Sequence, residues 1–337
     1  MREIACSPLN RRSISHQRLR KWTGTISVTK KRLLYPCLAL AVLGGPYQAF
    51  GQFTDPHNYD NTPVGTNQIE LAYAYARSDV SIDTGLVIAG AKLSLNKGTV
   101  QYSHYFRLAN HVMWVDASVP IAGLDGSVTR TNIRGSINGA GDSSYQLSAL
   151  LKGARALTVA EFDDYKPATI VGVSLGVTAP TGQYHPNKLL NLGSDRWSFK
   201  PEIALSHPFG SEQKWMLDAY TNCEFYTGDA SYRGHEVLRQ QPLPGFEGHI
   251  SRSPTERLWI SFDTRYSFRG TTSIDGLDQN DGQQNFTIGS EANLALNSQH
   301  ALVFEFAKVL VHHNGPAYTG FAVKYDFVWG KGYRTKR

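Results

Sequence analysis

The sequence predicts an all-β protein, a transmembrane antiparallel β-barrel of the outer-membrane type with about twelve strands. Three observations lead to this prediction. After residue 67, apolar and polar residues alternate with a period of two, as in strands that face two different environments. The connections between these strands alternate between long and short, and aromatic residues gather near strand ends. No apolar run long enough for a transmembrane helix follows the N-terminal region.

Residues 1–51 have the features of a secretory signal peptide. Nine Lys and Arg residues but only one acidic residue occur in this stretch, which also contains the apolar run 33–43. Ala49 and Gly51 provide the small residues of a cleavage site. A membrane anchor is the alternative, but the apolar run is shorter than the roughly 20 residues that span a bilayer.

The predicted signal peptide, called the leader below, accounts for the positive net charge of the chain. The whole chain has a net charge of +6, whereas the chain after residue 51 has 25 basic and 27 acidic residues. Nucleic acid is therefore not expected as a partner. Cys6 and Cys37 lie in the leader, so Cys223 is the one cysteine of the mature chain and no internal disulfide is expected.

The remaining chain divides into an N-terminal segment (52–67), predicted to be periplasmic, a barrel (68–329) and a C-terminal tail (330–337). Strands are predicted at 69–76, 93–107, 111–119, 143–152, 168–179, 197–207, 214–226, 245–252, 257–268, 285–296, 300–309 and 317–329. The strand at 245–252 has a weak pattern, and residues 120–142 are predicted as a Gly-, Ser- and Asn-rich loop. Thr158 and Glu161 have capping-box spacing and predict a short helix. Fourteen strands are the alternative, if 86–92 and 127–137 form two more.

The same alternation would fit a soluble β-sandwich, so strand and connection lengths decide between the two folds. Predicted strands in the second half are about twice the usual globular length. Long connections are expected at 78–92, 120–142, 180–196, 227–244 and 269–284, and short ones at 108–110, 208–213, 253–256 and 297–299. Two connections depart from this alternation, 153–167 and 310–316. Short turns on the periplasmic side and long loops outside are typical of outer-membrane barrels.

The stretch Val173–Pro208 contains a PTGQY corner followed by a loop that ends in NLGSDRW. With further matches such as Trp215 and Asp218, it resembles the family named for the MetA pathway of phenol degradation. Asp195 replaces the Asn usual in that family, and the chain extends eight residues past Trp329. The motif residues are Pro180, Thr181, Gly182, Gln183, Tyr184, Asn191, Gly193, Arg196 and Trp197. The resemblance covers residues 68–329 and implies an outer-membrane barrel of transporter type, linked by name to phenolic or other aromatic compounds.

Charged residues on the polar strand faces are expected to line the barrel lumen, because Arg or Lys facing the bilayer midplane costs about 2–4 kcal/mol. The predicted lumen-lining set is Glu70, Lys200, Glu202, Asp218, Glu224, Arg257, Asp263, Arg265, Glu291, Glu305, Lys324 and Asp326. Two interpretations remain open. The charges could form a salt-bridged lumen that closes the barrel, or a polar constriction that selects permeants.

These observations predict an outer-membrane channel for passive uptake of small solutes, with aromatic solutes as the class that the resemblance implies. One alternative is a non-conducting structural barrel, closed by its charges or by residues 52–67 folding inside. Another is a barrel enzyme of lipase type, which would need a Ser, a His and an acid at one rim. No catalytic motif, cofactor or metal site is expected. The expected partners are outer-membrane lipids, small solutes and the barrel assembly machinery.

Overall fold

The computed structural model describes residues 54–78, 91–188 and 190–333. The predicted signal peptide, residues 1–51, lies outside the described residues. Helical structure in this part of the chain comprises the short 3-10 helices Val159–Asp164 and Ser211–Gln213. The first of these has the predicted capping box, in which the Thr158 amide donates to the Glu161 carboxylate at 2.8 Å. Among the described residues, no helix is long and apolar enough to cross a membrane.

The described residues contain seventeen strands. They are β1 (Asn67–Ser78), β2 (Ala91–Leu108), β3 (His111–Val128), β4 (Arg134–Ala140), β5 (Ser143–Lys152), β6 (Ile170–Ala179), β7 (Ser198–Phe209), β8 (Trp215–Tyr226), β9 (Asp229–Tyr232), β10 (Glu236–Gln240), β11 (Leu243–Thr255), β12 (Leu258–Arg269), β13 (Thr272–Ile274), β14 (Leu277–Asp278), β15 (Gln283–Ala295), β16 (His300–His313) and β17 (Tyr318–Trp329).

Twelve of these strands close into a barrel, as predicted. In order they are β1, β2, β3, β5, β6, β7, β8, β11, β12, β15, β16 and β17, and each pairs antiparallel with the next. The first strand also pairs with the last, so that Glu70 lies opposite both Gln101 on β2 and Asp326 on β17. A sheet closed in this way has no free edge, which a strand-spanning membrane protein requires.

The prediction of a loop at 120–142 is wrong. β3 continues to Val128, and β4 pairs with its upper half while β5 pairs with its lower half. The pairing partner of β3 changes at Pro120, which has no N–H that would need a hydrogen bond in the sheet. Its carbonyl accepts a hydrogen bond from the Gly141 amide at 2.9 Å. Residues 127–137 thus end β3 and begin β4, which takes the place of β5 beside the upper half of β3. Residues 91 and 92 begin β2, and residues 86–90 lie outside the described residues. The alternative of fourteen barrel strands is therefore wrong.

The wall has two faces, as the alternation predicted. On β7, Ile203 is 58% exposed on the outside, whereas the neighbouring Glu202 is 2% exposed on the inside. The same alternation of buried and exposed positions recurs on β8 and β12. Apolar residues outside and polar residues inside place the outer surface in lipid. The chain is an outer-membrane barrel.

The two ends of the barrel differ as predicted. Connections 109–110, 210–214, 256–257 and 296–299 are short turns at one end, which the layout of such barrels assigns to the periplasm. Most connections at the other end are longer, with 314–317 as the exception, and two of them carry a small sheet made of β9, β10, β13 and β14. The connection 314–317 is short, and the connection 153–169 contains the first 3-10 helix.

Outward-facing aromatic residues occur near both strand ends. The rings of Phe327 and Trp329 stack at the periplasmic end, with centroids 5.4 Å apart, and Tyr266 and Phe268 stack at the outer end at 5.6 Å. Trp197, Phe199 and Phe225 are exposed in the same way. Tyr226, an aromatic residue at the outer end of β8, does not face outward. It shares the inner face of β8 with Glu224, to whose carboxylate its hydroxyl donates at 3.0 Å.

If the outer face contacts lipid, a charged side chain placed on it should cost more free energy of folding at the middle of the bilayer than near its surfaces. Replacing Ile203, at the middle of β7, with Arg should lower the free energy of unfolding by about 2–4 kcal/mol in lipid vesicles. Leu108→Arg is the matched control, because Leu108 is exposed beside a periplasmic turn and the same charge should cost about 0–1 kcal/mol there. Urea titration followed by gel mobility measures both. Equal costs at the two positions would contradict the assignment of this face to lipid.

Candidate functional site

The chain before β1 lies inside the barrel, so the prediction of a periplasmic segment at 52–67 is wrong for the described residues 54–66, and the alternative of folding inside is correct for them. Residues 54–66, called the inner segment below, make hydrogen bonds with inward-facing side chains of the wall. The Thr54 hydroxyl donates to Glu202 on β7 at 2.7 Å, and Asp55 accepts from Lys324 on β17 at 2.6 Å. β7 and β17 are six strands apart in a ring of twelve. Consecutive residues therefore contact opposite walls, and the inner segment crosses the lumen.

Tyr59 is the main packing anchor of the inner segment. Its side chain is fully buried, and its ring lies against Trp114 and Tyr220, with centroids 5.6 and 5.3 Å away. Its hydroxyl lies 2.9 Å from both Ser174 and Glu202. A Cβ atom at Gly172 of β6 would approach the Tyr59 ring to 2.3 Å. The absence of a side chain at Gly172 therefore leaves the space that the Tyr59 ring occupies.

Two buried carboxylates, Glu202 and Glu247, are bridged by neutral donors. Asn222 Nδ2 lies 3.0 Å from Glu202 and 2.9 Å from Glu247. Thr54 repeats this bridge, since its hydroxyl bonds Glu202 and its amide donates to Glu247 at 2.6 Å. Arg265 forms an ion pair with Glu247. Buried charges are tolerated only when they are paired and hydrogen-bonded, so the inner segment helps to stabilise the acidic interior.

Lys324 holds together the acidic cluster on the opposite wall. The carboxylates of Asp55, Glu291 and Glu305 lie within 4.8 Å of one another, a spacing that could suit a cation. The Lys324 ammonium group pairs with both Asp55 and Glu305. The lysine thus supplies the positive charge of this cluster and ties the inner segment to β17.

His57 connects the inner segment to β11. Its Nε2 lies 2.7 Å from Ser251 and its Nδ1 lies 2.8 Å from Asp60, the connectivity of a Ser-His-Asp triad. The sequence did not indicate this grouping, because the three residues follow no catalytic motif. Ser251 is only 1% exposed, so no ester carbonyl can approach its hydroxyl while the inner segment is in place. The arrangement acts as a contact between the segment and the wall.

The structure places most of the predicted lumen-lining residues on the inner face. Those on inward strand positions are Glu70, Lys200, Glu202, Asp218, Glu224, Asp263, Arg265, Glu291, Glu305, Lys324 and Asp326. Asp218 accepts from the His57 amide at 3.2 Å, so it also contacts the inner segment. The prediction that Arg257 lines the lumen is wrong. The residue lies in the turn between β11 and β12 and is exposed, because β12 begins one residue later.

Sequence reasoning missed two interior residues of β11, Glu247 and His249. Both are buried, and His249 Nδ1 lies 2.9 Å from Asp263. The signal was present, since Phe246 and Ile250 alternate with polar residues. Gly245 and Gly248 weakened the apolar pattern, so the stretch was predicted as a weak strand without inward charges.

The motif loop, Pro180–Trp197, folds over and into the outer mouth. Leu192 is fully buried in a cluster of inward-facing residues that includes Leu95 and Leu124. The corner is held by Asp142, which accepts from the amides of Gly182 and Ser194, both at 2.8 Å. A sharp reversal of this kind brings backbone segments too close for side chains, and a Cβ atom at Gly193 would meet the Gly182 carbonyl at 2.7 Å.

Other motif residues hold the loop against its neighbours. Thr181 accepts from the Ser143 amide at 2.9 Å, the Gln183 carbonyl accepts from the Gly193 amide at 2.9 Å, and Asn191 accepts from the His185 amide at 2.7 Å. These bonds explain why the corner requires small and hydroxyl- or amide-bearing residues.

Tyr184, Arg196 and Trp197 link the motif loop to the connection after β8. The Tyr184 hydroxyl donates to Asp229 at 2.6 Å. Burial and this carboxylate raise the pKa of Tyr184, so the phenol remains a donor at neutral pH. Arg196 donates to Gln240 at 2.7 Å and lies 4.4 Å over the Tyr226 ring, and the Trp197 amide donates to Thr227. These are loop-holding contacts.

Comparison with solved structures supports the barrel. The COG4313 outer membrane channel from Pseudomonas putida F1 aligns with a TM-score of 0.71 and 22% identity, over 82% of this chain and 100% of that one. This likeness shows a common fold. Two other structures align more distantly. The KdgM porin has a TM-score of 0.42 and 11% identity, over 77% of this chain and 98% of that one. The transport unit of the autotransporter AIDA-I from Escherichia coli has a TM-score of 0.47 and 8% identity, over 83% of this chain and 95% of that one.

Comparison with curated proteins gives no significant match. A sequence profile described as "Putative MetA-pathway of phenol degradation" matches residues 76–325, which is most of the barrel. The match includes the whole motif loop that carried the resemblance in the sequence. The chain therefore belongs to the MetA-pathway of phenol degradation family.

Proposed function

We propose that the protein is an outer-membrane channel for small solutes, and that the inner segment controls its pathway. One observation carries this proposal: Thr54 and Asp55 bond opposite walls of the lumen. A solute that enters from either end must therefore pass around the inner segment or displace it. A closed wall with a polar interior supports passive diffusion once that path is open.

Small aromatic solutes are the class that the interior favours. Tyr105, Trp114 and Tyr220 are inward-facing aromatic residues of the wall, which stay in place when the inner segment moves. Tyr105 stacks on Trp114 with ring centroids 5.6 Å apart, and Trp114 and Tyr220 both contact the Tyr59 ring. Such faces attract other aromatic rings in stacked or edge-on arrangements. The family description names phenol degradation, which supports the same class.

The charge of the lumen refines this class to neutral or cationic solutes. Inward acids in the described residues outnumber inward bases and create a negative potential that repels anions. The acids are Asp55, Asp60, Glu70, Asp116, Glu202, Asp218, Glu224, Glu247, Asp263, Glu291, Glu305 and Asp326, and the bases are Lys97, Arg107, Lys200, Arg265 and Lys324. Undissociated phenols should therefore pass more readily than aromatic carboxylates.

A non-conducting structural barrel is the second candidate, and the same crossing of the lumen favours it. In that case the inner segment would be a permanent filling that stabilises the acidic wall. The two candidates differ in what happens when the segment is loosened. A channel gains conductance, whereas a structural barrel loses stability without conducting.

The close contact at Gly172 provides a specific way to loosen the segment. Gly172→Ala should push the Tyr59 ring out of its site and raise single-channel conductance in planar bilayers several-fold, because the methyl group and the ring cannot occupy the same space. Gly176→Ala is the matched control on the same inner face, where a Cβ atom meets nothing closer than 3.7 Å. If both variants conduct like the wild type, the inner segment does not limit the path.

The acidic lumen predicts selectivity for cations. In a KCl gradient, the Gly172→Ala channel should show a reversal potential that corresponds to K⁺ permeability several times that of Cl⁻. Adding Glu291→Gln and Glu305→Gln should reduce this ratio, because both carboxylates face the lumen beside Lys324.

The control for this measurement replaces two exposed acids at the periplasmic end, Glu212 and Glu256, with Gln. These changes remove the same charge without altering the lumen and should leave the ratio unchanged. Anion preference in the Gly172→Ala channel would refute the assignment of solute charge.

A further inference from the structure

A group of basic residues lies on the outside of the barrel at its outer end. Arg77 on β1, Lys92 on β2 and Arg134 on β4 are exposed and are called the outer-rim patch below. None of the three forms an ion pair within the part of the chain that the structure describes. Arg77 bonds the hydroxyl of Tyr75 on its own strand, which holds its guanidinium group against the wall.

The strand register brings these residues together. Lys92 lies opposite Ser127 of β3, which in turn lies opposite Arg134 of β4. One row nearer the membrane, Arg77 lies opposite Ser94 in the same way. Because adjacent strands are about 4.8 Å apart, Lys92 and Arg134 flank Ser127 at a backbone distance of about 10 Å.

The patch continues directly from the lipid-facing surface. On these strands the outward residues Tyr73, Val100 and Ile121 are large, apolar and more than half exposed. The next outward row contains Asn96 and Asn138, and Tyr73 donates to Asn96 at 2.8 Å. Arg77 follows four residues after Tyr73, about 13 Å along the strand. Charge therefore begins where the acyl chains of the outer leaflet end and the headgroups start.

The outer-rim patch borders a groove of about 760 Å³. Its lining includes the hydroxyl-bearing residues Ser94, Ser127 and Ser136 and one acid, Asp125. Most residues of the lining, these three serines among them, occupy outward strand positions, so the groove opens outward. Among the described residues of this lining, three cations and a single carboxylate give a net positive charge, and the hydroxyl groups add hydrogen-bond donors.

We propose that the outer-rim patch binds the phosphate of a phosphorylated glycolipid in the outer leaflet. Charge complementarity supports this occupant, since Arg and Lys are the side chains that bind phosphate best. Continuity with the lipid-facing surface supports it as well, because a lipid whose chains cover Tyr73, Val100 and Ile121 places its headgroup beside Arg77. The hydroxyl groups supply further donors to phosphate oxygens. The bound lipid fixes the outer rim next to the mouth of the barrel.

The experiment uses the folded full-length protein in detergent, with diphosphorylated lipid A added and bound lipid counted by native mass spectrometry. The variant Arg77→Gln, Lys92→Gln, Arg134→Gln should bind lipid A at least tenfold more weakly, because each basic residue near an anionic surface contributes to attraction. The control variant Lys152→Gln, Lys166→Gln, Arg252→Gln removes the same charge from exposed positions at the periplasmic end and should bind like the wild type. Retained gel mobility without heating shows that both variants fold.

Two further arms identify the source of the phosphate. Lipid A from which both phosphates have been removed should bind the wild type as weakly as phosphorylated lipid A binds the outer-rim variant. Inorganic phosphate at the same concentration should not displace bound lipid A. Equal binding of phosphorylated lipid A by the wild type and the outer-rim variant would overturn the proposal. Full displacement by inorganic phosphate would also overturn it, since the groove would then be a general anion site.

Discussion

The interior of this barrel depends on hydrogen bonds that the inner segment makes with charged residues of the wall. Glu202, Glu247 and Lys324 are inward-facing and buried, and each bonds Thr54 or Asp55. A buried charge that loses its partner costs about 3–5 kcal/mol, so wall and segment are energetically coupled. The same contacts that stabilise the acidic wall narrow the lumen.

This coupling leaves a way for a barrel with an occupied lumen to serve as the proposed channel. The contacts are polar and individually exchangeable for water, whereas the packing of Tyr59 against Gly172 and Tyr220 is specific. Partial withdrawal of the segment would hydrate the carboxylates and expose the aromatic surface. The pathway that then opens is negatively charged and aromatic, in agreement with the solute class proposed above.

The fold could be predicted from the sequence because membrane and lumen impose opposite polarity on alternate residues. Lys200 and Glu202 were assigned to the lumen from this alternation alone, and both lie there. The prediction of a loop at 120–142 was wrong because Gly and Ser residues do not show a clear alternation of polarity. At Pro120 the strand β3 does not end but changes its pairing partner from β5 to β4. The prediction for Arg257 was wrong because the strand β12 begins one residue later than predicted, which moves this side chain from the wall into a turn.

The location of the inner segment was predicted wrongly, because residues 52–67 were assigned to the periplasm and folding inside the barrel was kept only as an alternative. Its residues have no periodicity, and a polar segment before the first strand fits the periplasm as well as the lumen. Its location follows from partners far along the chain, such as Glu247 for Thr54 and Ser251 for His57, which only the closed barrel brings together. The contacts of the motif loop could not be predicted either. Its residues indicated a family, but the sequence did not show that Asp142 holds the loop through hydrogen bonds to Gly182 and Ser194.

The most direct test is to remove residues 52–66 while keeping the predicted signal peptide, residues 1–51. Conductance is measured before and after a synthetic peptide of the deleted sequence is added on the periplasmic side. We expect the shortened barrel to conduct several-fold more than the wild type. The peptide should block it, and a peptide with Tyr59→Ala should block it poorly. Unchanged conductance after the deletion, or equal block by both peptides, would contradict the account.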